Sequence, residues 1–487
     1  LVIISMLLFG RNRATDAFQL VVGIFLSSSG AGKHIIDVFN HMGISVSYDT
    51  MQRCLTTLTE DARATAREFI SSSENLWGLV YDNINFTLRK SSQRLDSATE
   101  QINATMSAIF SLPGKFTRAL FGSALSRSER TKGGQKKMMI VDLKITTDEQ
   151  RHLDKATKHQ VRTLLLHYAP GFQKTKKSKN PEMKRIRKMV KKNKPQVRCL
   201  GHEQTQFFPL PALNEEEASV GGTIRVITTI FTTLLGLAEQ VIDSQLRLIV
   251  GDWLTIRNLR LMVEERMDEF SSFARLDWVQ EASMPFHFQL NAMYMLYHMH
   301  VGYVGDQDPT SLDAHCRILK RFKLDLRKPE YNKAKELVHH SLVARILDCA
   351  RYLVSRFATT LAAQQALQVA DDVCAHSILF VRDALLFEEF GDAIRDADVG
   401  RMWSVYRVWV FMMRGAGCHN YGNEILEMIA QFRYVLSVKL AEIVERTWLV
   451  NRWGKKGRSI PTDLYLEHNN GFIKVGGCIV SVSSSLT

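Results

Sequence analysis

Proline is scarce. Only 10 interrupt 487 residues, about half the usual frequency, which leaves room for long helices. The seven cysteines (Cys54, Cys199, Cys316, Cys349, Cys374, Cys418 and Cys478) form no C-x-x-C pair. An odd, dispersed set reads as reduced thiols of a cytosolic or nuclear protein, and it excludes a disulfide framework. The N-x-T sequons at Asn85 and Asn103 are then chance matches. No apolar run reaches the roughly 18 residues of a membrane span, so no membrane is expected as a partner. The apolar opening Leu1 to Phe9 is followed, not preceded, by Arg11 and Arg13, the wrong order for a secretory signal. A start at Leu1 and an abrupt stop after Thr487 lead us to expect a fragment. Acids are in deficit, 50 against 63 Lys and Arg, for a net charge of +13. That excess suggests a polyanionic partner.

What is present reads as an ordinary folded chain, 45% hydrophobic and 23% charged. Residues 1 to 75 read as short helices. Gly43 separates an apolar-faced helix, Lys33 to Met42, from another at Thr50 to Leu58, the outline of a helix-turn-helix or of a plain helical hairpin. Leu76 to Phe86 is rich in β-formers and has the length of one buried strand. Leu95 to Ser111 carries little signal, and Leu164-Leu-Leu-His-Tyr suits helix or strand. Gln173 to Arg198 holds twelve basic residues against Glu182 alone. We expect a solvated loop or tail-like insertion there, serving nuclear import or phosphate contact.

Regular patterning returns after Gly221. Ile224 to Ser244 suits a helix, and Leu246 to Trp253 a second buried strand ending in an acid. Ile256 to Phe270 reads as an amphipathic helix, Leu276 to Gln280 as a third strand, and His287 to His300 as a helix. Residues 310 to 450 are expected to be nearly all helical. Asn451 to Lys474 reads as a glycine-containing turn, Pro461, and a short acid-bearing helix.

Among the motifs, Ser29-Gly-Ala-Gly-Lys-His is not a phosphate loop. Ser27 stands where its first glycine belongs, and His34 where its hydroxyl belongs. His298 and His300 point about 200° apart on a helix and cannot share an ion. The adjacent pairs His339-His340 and Cys418-His419 face the same difficulty. His287 is placed to orient a carboxylate or to be a satisfied core histidine. Asp82 and Asp252 each follow a strand-like apolar run, where α/β folds place their sites. Converging carboxylates hold Mg²⁺ or Mn²⁺ for phosphoryl transfer. A third would come from a helix, at Glu467 or at Glu424.

Several blocks carry a resemblance: Ser28 to Tyr48, Leu79-Val-Tyr-Asp-Asn-Ile-Asn-Phe, Gly251-Asp-Trp-Leu-Thr, Leu276-Asp-Trp-Val with Phe286-His-Phe-Gln-Leu-Asn, and Asp463-Leu-Tyr-Leu-Glu-His-Asn-Asn. They resemble a fungal domain-of-unknown-function family (domain of unknown function 6589). Their order is also similar to ribonuclease-H-like transposases of mobile elements. Those place one acid on the first strand, another on the fourth, then a helical insertion and a glutamate on a late helix. The resemblance implies an α/β fold: a ribonuclease-H-like core with a large all-helical insertion and a small helical N-terminal region. Expected boundaries are 1–75 for the helical N-terminal region, 76–300 for the core with its basic insertion 173–198, 301–450 for the helical insertion, and 451–487 for the return to the core. It implies a transposase-derived, nuclear, nucleic-acid-binding protein that cuts and joins DNA with Mg or Mn. Asp82, Asp252 and Glu467 would ligate metal, with Glu424 as the other third acid. Lys174, Lys176, Lys177, Lys184, Arg185, Arg187, Lys188, Lys191 and Lys192 would contact phosphates. DNA is the expected partner, and self-association into a homo-oligomer is a further expectation. The rival expectations are a DNA-binding protein or scaffold without chemistry, and a helical interaction module without nucleic acid.

Overall fold

The fold grows from two strands whose residues are apolar on both faces. In the computed structural model, β1 (Trp77–Leu88) and β4 (Arg247–Gly251) lie side by side in a five-stranded sheet. The structure describes residues 1–88, 100–114, 125–170, 180–215, 219–303, 308–321, 324–325, 329–352 and 372–476. The sheet is completed by β2 (Glu100–Ser111), β3 (Phe207–Pro209) and β5 (Val279–Ser283), in the order β3-β2-β1-β4-β5. The β3-β2 and β2-β1 pairs are antiparallel, whereas β1-β4 and β4-β5 are parallel.

Because side chains alternate along a strand, each strand feeds two cores. Val80, Leu248 and Val250 point to one face, and Leu79, Tyr81 and Ile249 to the other. The second face is covered by α4 (Tyr48–Ser71), α7 (Val220–Thr229) and α9 (Trp253–Glu265), through Ile70, Val226 and Leu259 among others. There Phe231 meets Trp278 edge-on at 5.1 Å, a geometry that adds about 1 kcal/mol beyond burial.

The first face is covered by α5 (Thr147–Tyr168), α10 (Pro285–His300) and the helices that follow. These are α11 (Leu312–Ile318), α12 (Tyr331–Tyr352), α13 (Asp372–Asp396), α14 (Val399–Gly415), α15 (His419–Ala430) and α16 (Val438–Arg446). A two-strand ribbon, β6 (Leu449–Val450) with β7 (Ile460–Pro461), then leads into α17 (Thr462–Gly476). The N-terminal α2 (Ala17–Ser28) and α3 (Lys33–His41) gather with the start of α4 on a small core of Ile36, Val46 and Met51, and α1 (Val2–Arg11) packs against α2.

Several expectations are corrected. The helix expected at Ile224–Ser244 stops at Thr229, passes through a wide turn at 230–234 and resumes as α8 (Glu239–Asp243). Gly236, at φ +69°, breaks it in a conformation that costs a side-chain-bearing residue strain. The third core strand expected at 276–280 begins at Val279, because Leu276 itself adopts a positive φ. The helix after Asp252 starts at Trp253 and ends at Glu265, not Phe270. The second N-terminal helix is not short: α4 runs for 24 residues and reaches the sheet.

The basic segment is corrected too. Part of it is α6 (Pro181–Lys192), an exposed helix with no buried residue. Asn180 caps it by accepting the Glu182 and Met183 N–H groups, Pro181 opens it, and Lys191 and Lys192 close it. That charge order suits the helix dipole. No helix among the described residues is long and apolar enough to cross a membrane.

Candidate functional site

Strand register brings the first two acids together. Parallel pairing aligns Leu79 with Ile249 and Val80 with Val250. Two residues further along both strands, just past the last paired residues, stand Asp82 and Asp252. Asp252 has just left β4 and caps α9, its Oδ1 accepting the Thr255 N–H at 2.8 Å.

The last helix supplies the rest. Asp463, Glu467 and Asn470 fall four and three residues apart, so one face of α17 carries all three. That helix packs against β1 and α10. The Asn470 Nδ2 stands 3.5 Å from Asp82 Oδ2. Asn470 is 2% exposed, and its Oδ1 has no hydrogen-bond partner among the described residues.

Asp463 ties the start of α17 to the start of α10. It accepts the Phe286 and His287 N–H groups at 3.3 Å, and it meets the His287 Nδ1 at 3.1 Å. The other nitrogen of that ring, Nε2, lies 3.9 Å from Glu467. Two blocks far apart in the chain, Phe286 to Asn291 and Asp463 to Asn470, thus meet at one histidine.

The electrostatics report the crowding. Burial pushes the Asp82 carboxyl up to about 7, and the charges of Glu467 and Asp252 push the same way against His287. Burial alone would lower His287. The hydrogen bond and charge of Asp463, with Asp252 and Asp82, instead raise it to about 9. The ring is therefore an imidazolium at neutral pH, held among carboxylates.

Glu424 goes elsewhere. It is buried, takes both Arg260 nitrogens at 2.7 and 2.8 Å, and accepts the Ser283 hydroxyl at 2.5 Å. Arg260 also contacts Glu281 at 3.1 Å, and these two carboxylates hold its guanidinium above its ordinary value despite burial. Glu424 is thus already matched by a cation and a hydroxyl. Of the other histidines, His300 contacts Asp383 at 2.9 Å and His339 contacts Glu388 at 3.1 Å.

Lys184, Arg185, Arg187, Lys188, Lys191 and Lys192 lie on α6, beside a groove of about 470 Å³ shared with α5 and α13. Lys174, Lys176 and Lys177 lie outside the described residues. Reading the sequence passed over Asp463 and Asn470, although the spacing 463, 467, 470 marks a single helix face.

The donor set suits a hard divalent cation. It offers carboxylate oxygens, one buried amide oxygen without a partner among the described residues, and a carboxyl raised first by burial and then by the negative charges of Glu467 and Asp252. Among the described residues, however, no three His, Cys, Asp or Glu side chains stand at metal-ligand spacing.

The model of a family of unknown function, DUF6589, matches residues 133–367 and 350–477. The chain belongs to that family. The matched span contains α6, Asp252, His287 and Glu467, and it begins after Asp82. No curated protein and no solved structure matches the chain.

Proposed function

We propose that this member of DUF6589 is a transposase-derived protein that binds nucleic acid and cleaves and joins DNA strands on a ribonuclease-H-type core. One observation carries the reading. Asp82 and Asp252, 170 residues apart in sequence, stand two residues beyond the paired Val80 and Val250 of neighbouring parallel strands, and α17, which carries Glu467, reaches Asp82 through Asn470 at 3.5 Å. The three acids occupy the first strand, the end of the fourth strand and the last helix, the positions that the resemblance assigns to a metal-binding triad.

In this reading Asp82, Asp252 and Glu467 would hold Mg²⁺ or Mn²⁺. Such an ion supplies activation of water or a 3′-hydroxyl and charge at the leaving oxygen. Asn470 braces Asp82, and Asp463 fixes the His287 ring, whose positive charge offsets the carboxylates around it. The exposed cations of α6 would meet phosphates without reading bases, and the same run suits nuclear import.

The test uses end-labelled DNA with the purified chain in Mn²⁺. Nicking is expected, with a loss of at least about 100-fold in each of D82N, D252N and E467Q. Nicking that survives D82N would remove the catalytic reading. A second reading, DNA binding without chemistry, rests on the exposed basic helix α6 alone. Binding without nicking in any divalent cation would select it.

A further inference from the structure

The turn between β6 and β7, Asn451-Arg-Trp-Gly-Lys-Lys-Gly-Arg-Ser, carries four cations and no acid. It leads through β7 directly into α17, the helix of Glu467. Arg452, Trp453, Lys455, Lys456 and Arg458 are all exposed. Trp453 is 67% exposed and has no aromatic partner among the described residues.

The turn is built to hold its shape. Asn451, 4% exposed, donates from Nδ2 to the Lys455 carbonyl at 2.9 Å and accepts the Lys455 N–H on Oδ1 at 3.2 Å. Its backbone is locked to Thr205, whose Oγ1 accepts the Asn451 N–H at 3.0 Å and whose N–H reaches the Asn451 carbonyl at 2.9 Å. Gly454 and Gly457 take positive φ angles of 58° and 74°, which side-chain-bearing residues rarely adopt. Arg452 donates to the Tyr465 hydroxyl, with its guanidinium 5.7 Å from that ring's centre. The turn is therefore fastened to α17 two residues before Glu467.

The fastened turn leaves the Trp453 indole exposed among cations. Its chemistry matches an unpaired nucleic-acid strand, which offers both a base face to stack on and phosphates to neutralise. A duplex keeps its base faces covered, and an acidic peptide offers charge without a flat π-surface. We infer that the 451–459 turn is a binding site for single-stranded nucleic acid, with Trp453 stacked on an unpaired base and Lys455, Lys456 and Arg458 on the flanking phosphates. The inference rests on the nucleic-acid reading of the chain and specifies the form that this turn takes.

The test measures binding of the whole chain to fluorescein-labelled oligo-dT of about 20 nucleotides, and to a duplex of equal length, by anisotropy. W453A should weaken oligo-dT binding about 10-fold, W453F should retain most of it, and duplex binding should stay within about two-fold. K455A/K456A should reduce the salt dependence for oligo-dT by roughly 0.7 per lost contact. Circular dichroism confirms that the variants fold. If the wild type binds neither DNA at low salt, the nucleic-acid reading fails and this inference with it. If it binds both and W453A binds oligo-dT unchanged, the inference alone is overturned. Equal weakening on the duplex, or displacement of oligo-dT by poly-glutamate of equal charge, overturns the single-strand assignment.

Discussion

Two clusters of carboxylates in this protein, one mostly buried and one mostly half-buried, are treated in opposite ways. Between α13 and α14, Glu389, Asp392 and Asp396 surround Arg401, which is 1% exposed and contacts them at 2.6, 2.8 and 2.9 Å. Lys194 adds contacts to Asp392 and Asp396 at 2.7 and 2.6 Å. Burial works against ionisation there. The hydrogen bonds and charges of Arg401 with His152, and of Arg401 with Lys194, still hold Glu389 and Asp392 below the usual carboxylate range. At α17 the carboxylates of Asp82, Asp252, Asp463 and Glu467 meet His287, and Asp82 rises to about 7. Matching cations make the first cluster a structural joint. The second remains short of positive charge, which is what supports a cation site there.

The largest expected effect tests the matched cluster. R401A removes the cation that Glu389, Asp392 and Asp396 share, leaving them His152 and Lys194, and should cost roughly 3 kcal/mol in urea unfolding. A wild-type midpoint would break the contrast between the two clusters.

The next tests the unmatched one. The Asp82 carboxyl is raised in the folded state, so its contribution to stability is fully present below its unfolded value near 3.8 and is lost as pH rises through about 7. His287, raised to about 9, runs the same way, with its contribution present below 6.5 and lost as pH climbs through 9. Thermal melts without divalent cation should therefore show D82N more stable than wild type at pH 8, by about 1–2 kcal/mol after allowing for partial exposure, and equal to it near pH 4. Equal melts at pH 8 would mean that the carboxylates are not crowded.

The smallest effect separates structural cations from surface ones. K184A/R185A/R187A/K188A on α6 should change stability by no more than about 0.5 kcal/mol. A loss comparable to R401A would make α6 part of the frame.

The core strands were legible because their apolar runs are short and end in acids: Leu79-Val-Tyr before Asp82, and Leu248-Ile-Val-Gly before Asp252. Strand β2 was not, because its Glu100-Gln-Ile-Asn-Ala-Thr half is polar and is held by remote pairing, with β1 through the Asn83–Thr105 and Ile84–Ala104 register and with Leu213 at Thr105. In α6 the density of lysine and arginine hid a plain helix start, Asn180-Pro181-Glu182. By position Glu467 is the first choice for the third acid, with Glu424 close behind. Arg260, 164 residues from Glu424, is what removes it from the acids near Asp82.

The order of residues by itself determined which segments could be buried strands, that residues 310 to 450 would be largely helical, and which acids stand at strand ends, because these follow from local periodicity and capping. Tertiary structure decided which acids share a field, which are already matched by arginine, and that His287 carries a proton among them. Those are sums over charges and burial from remote parts of the chain, and no local pattern contains them.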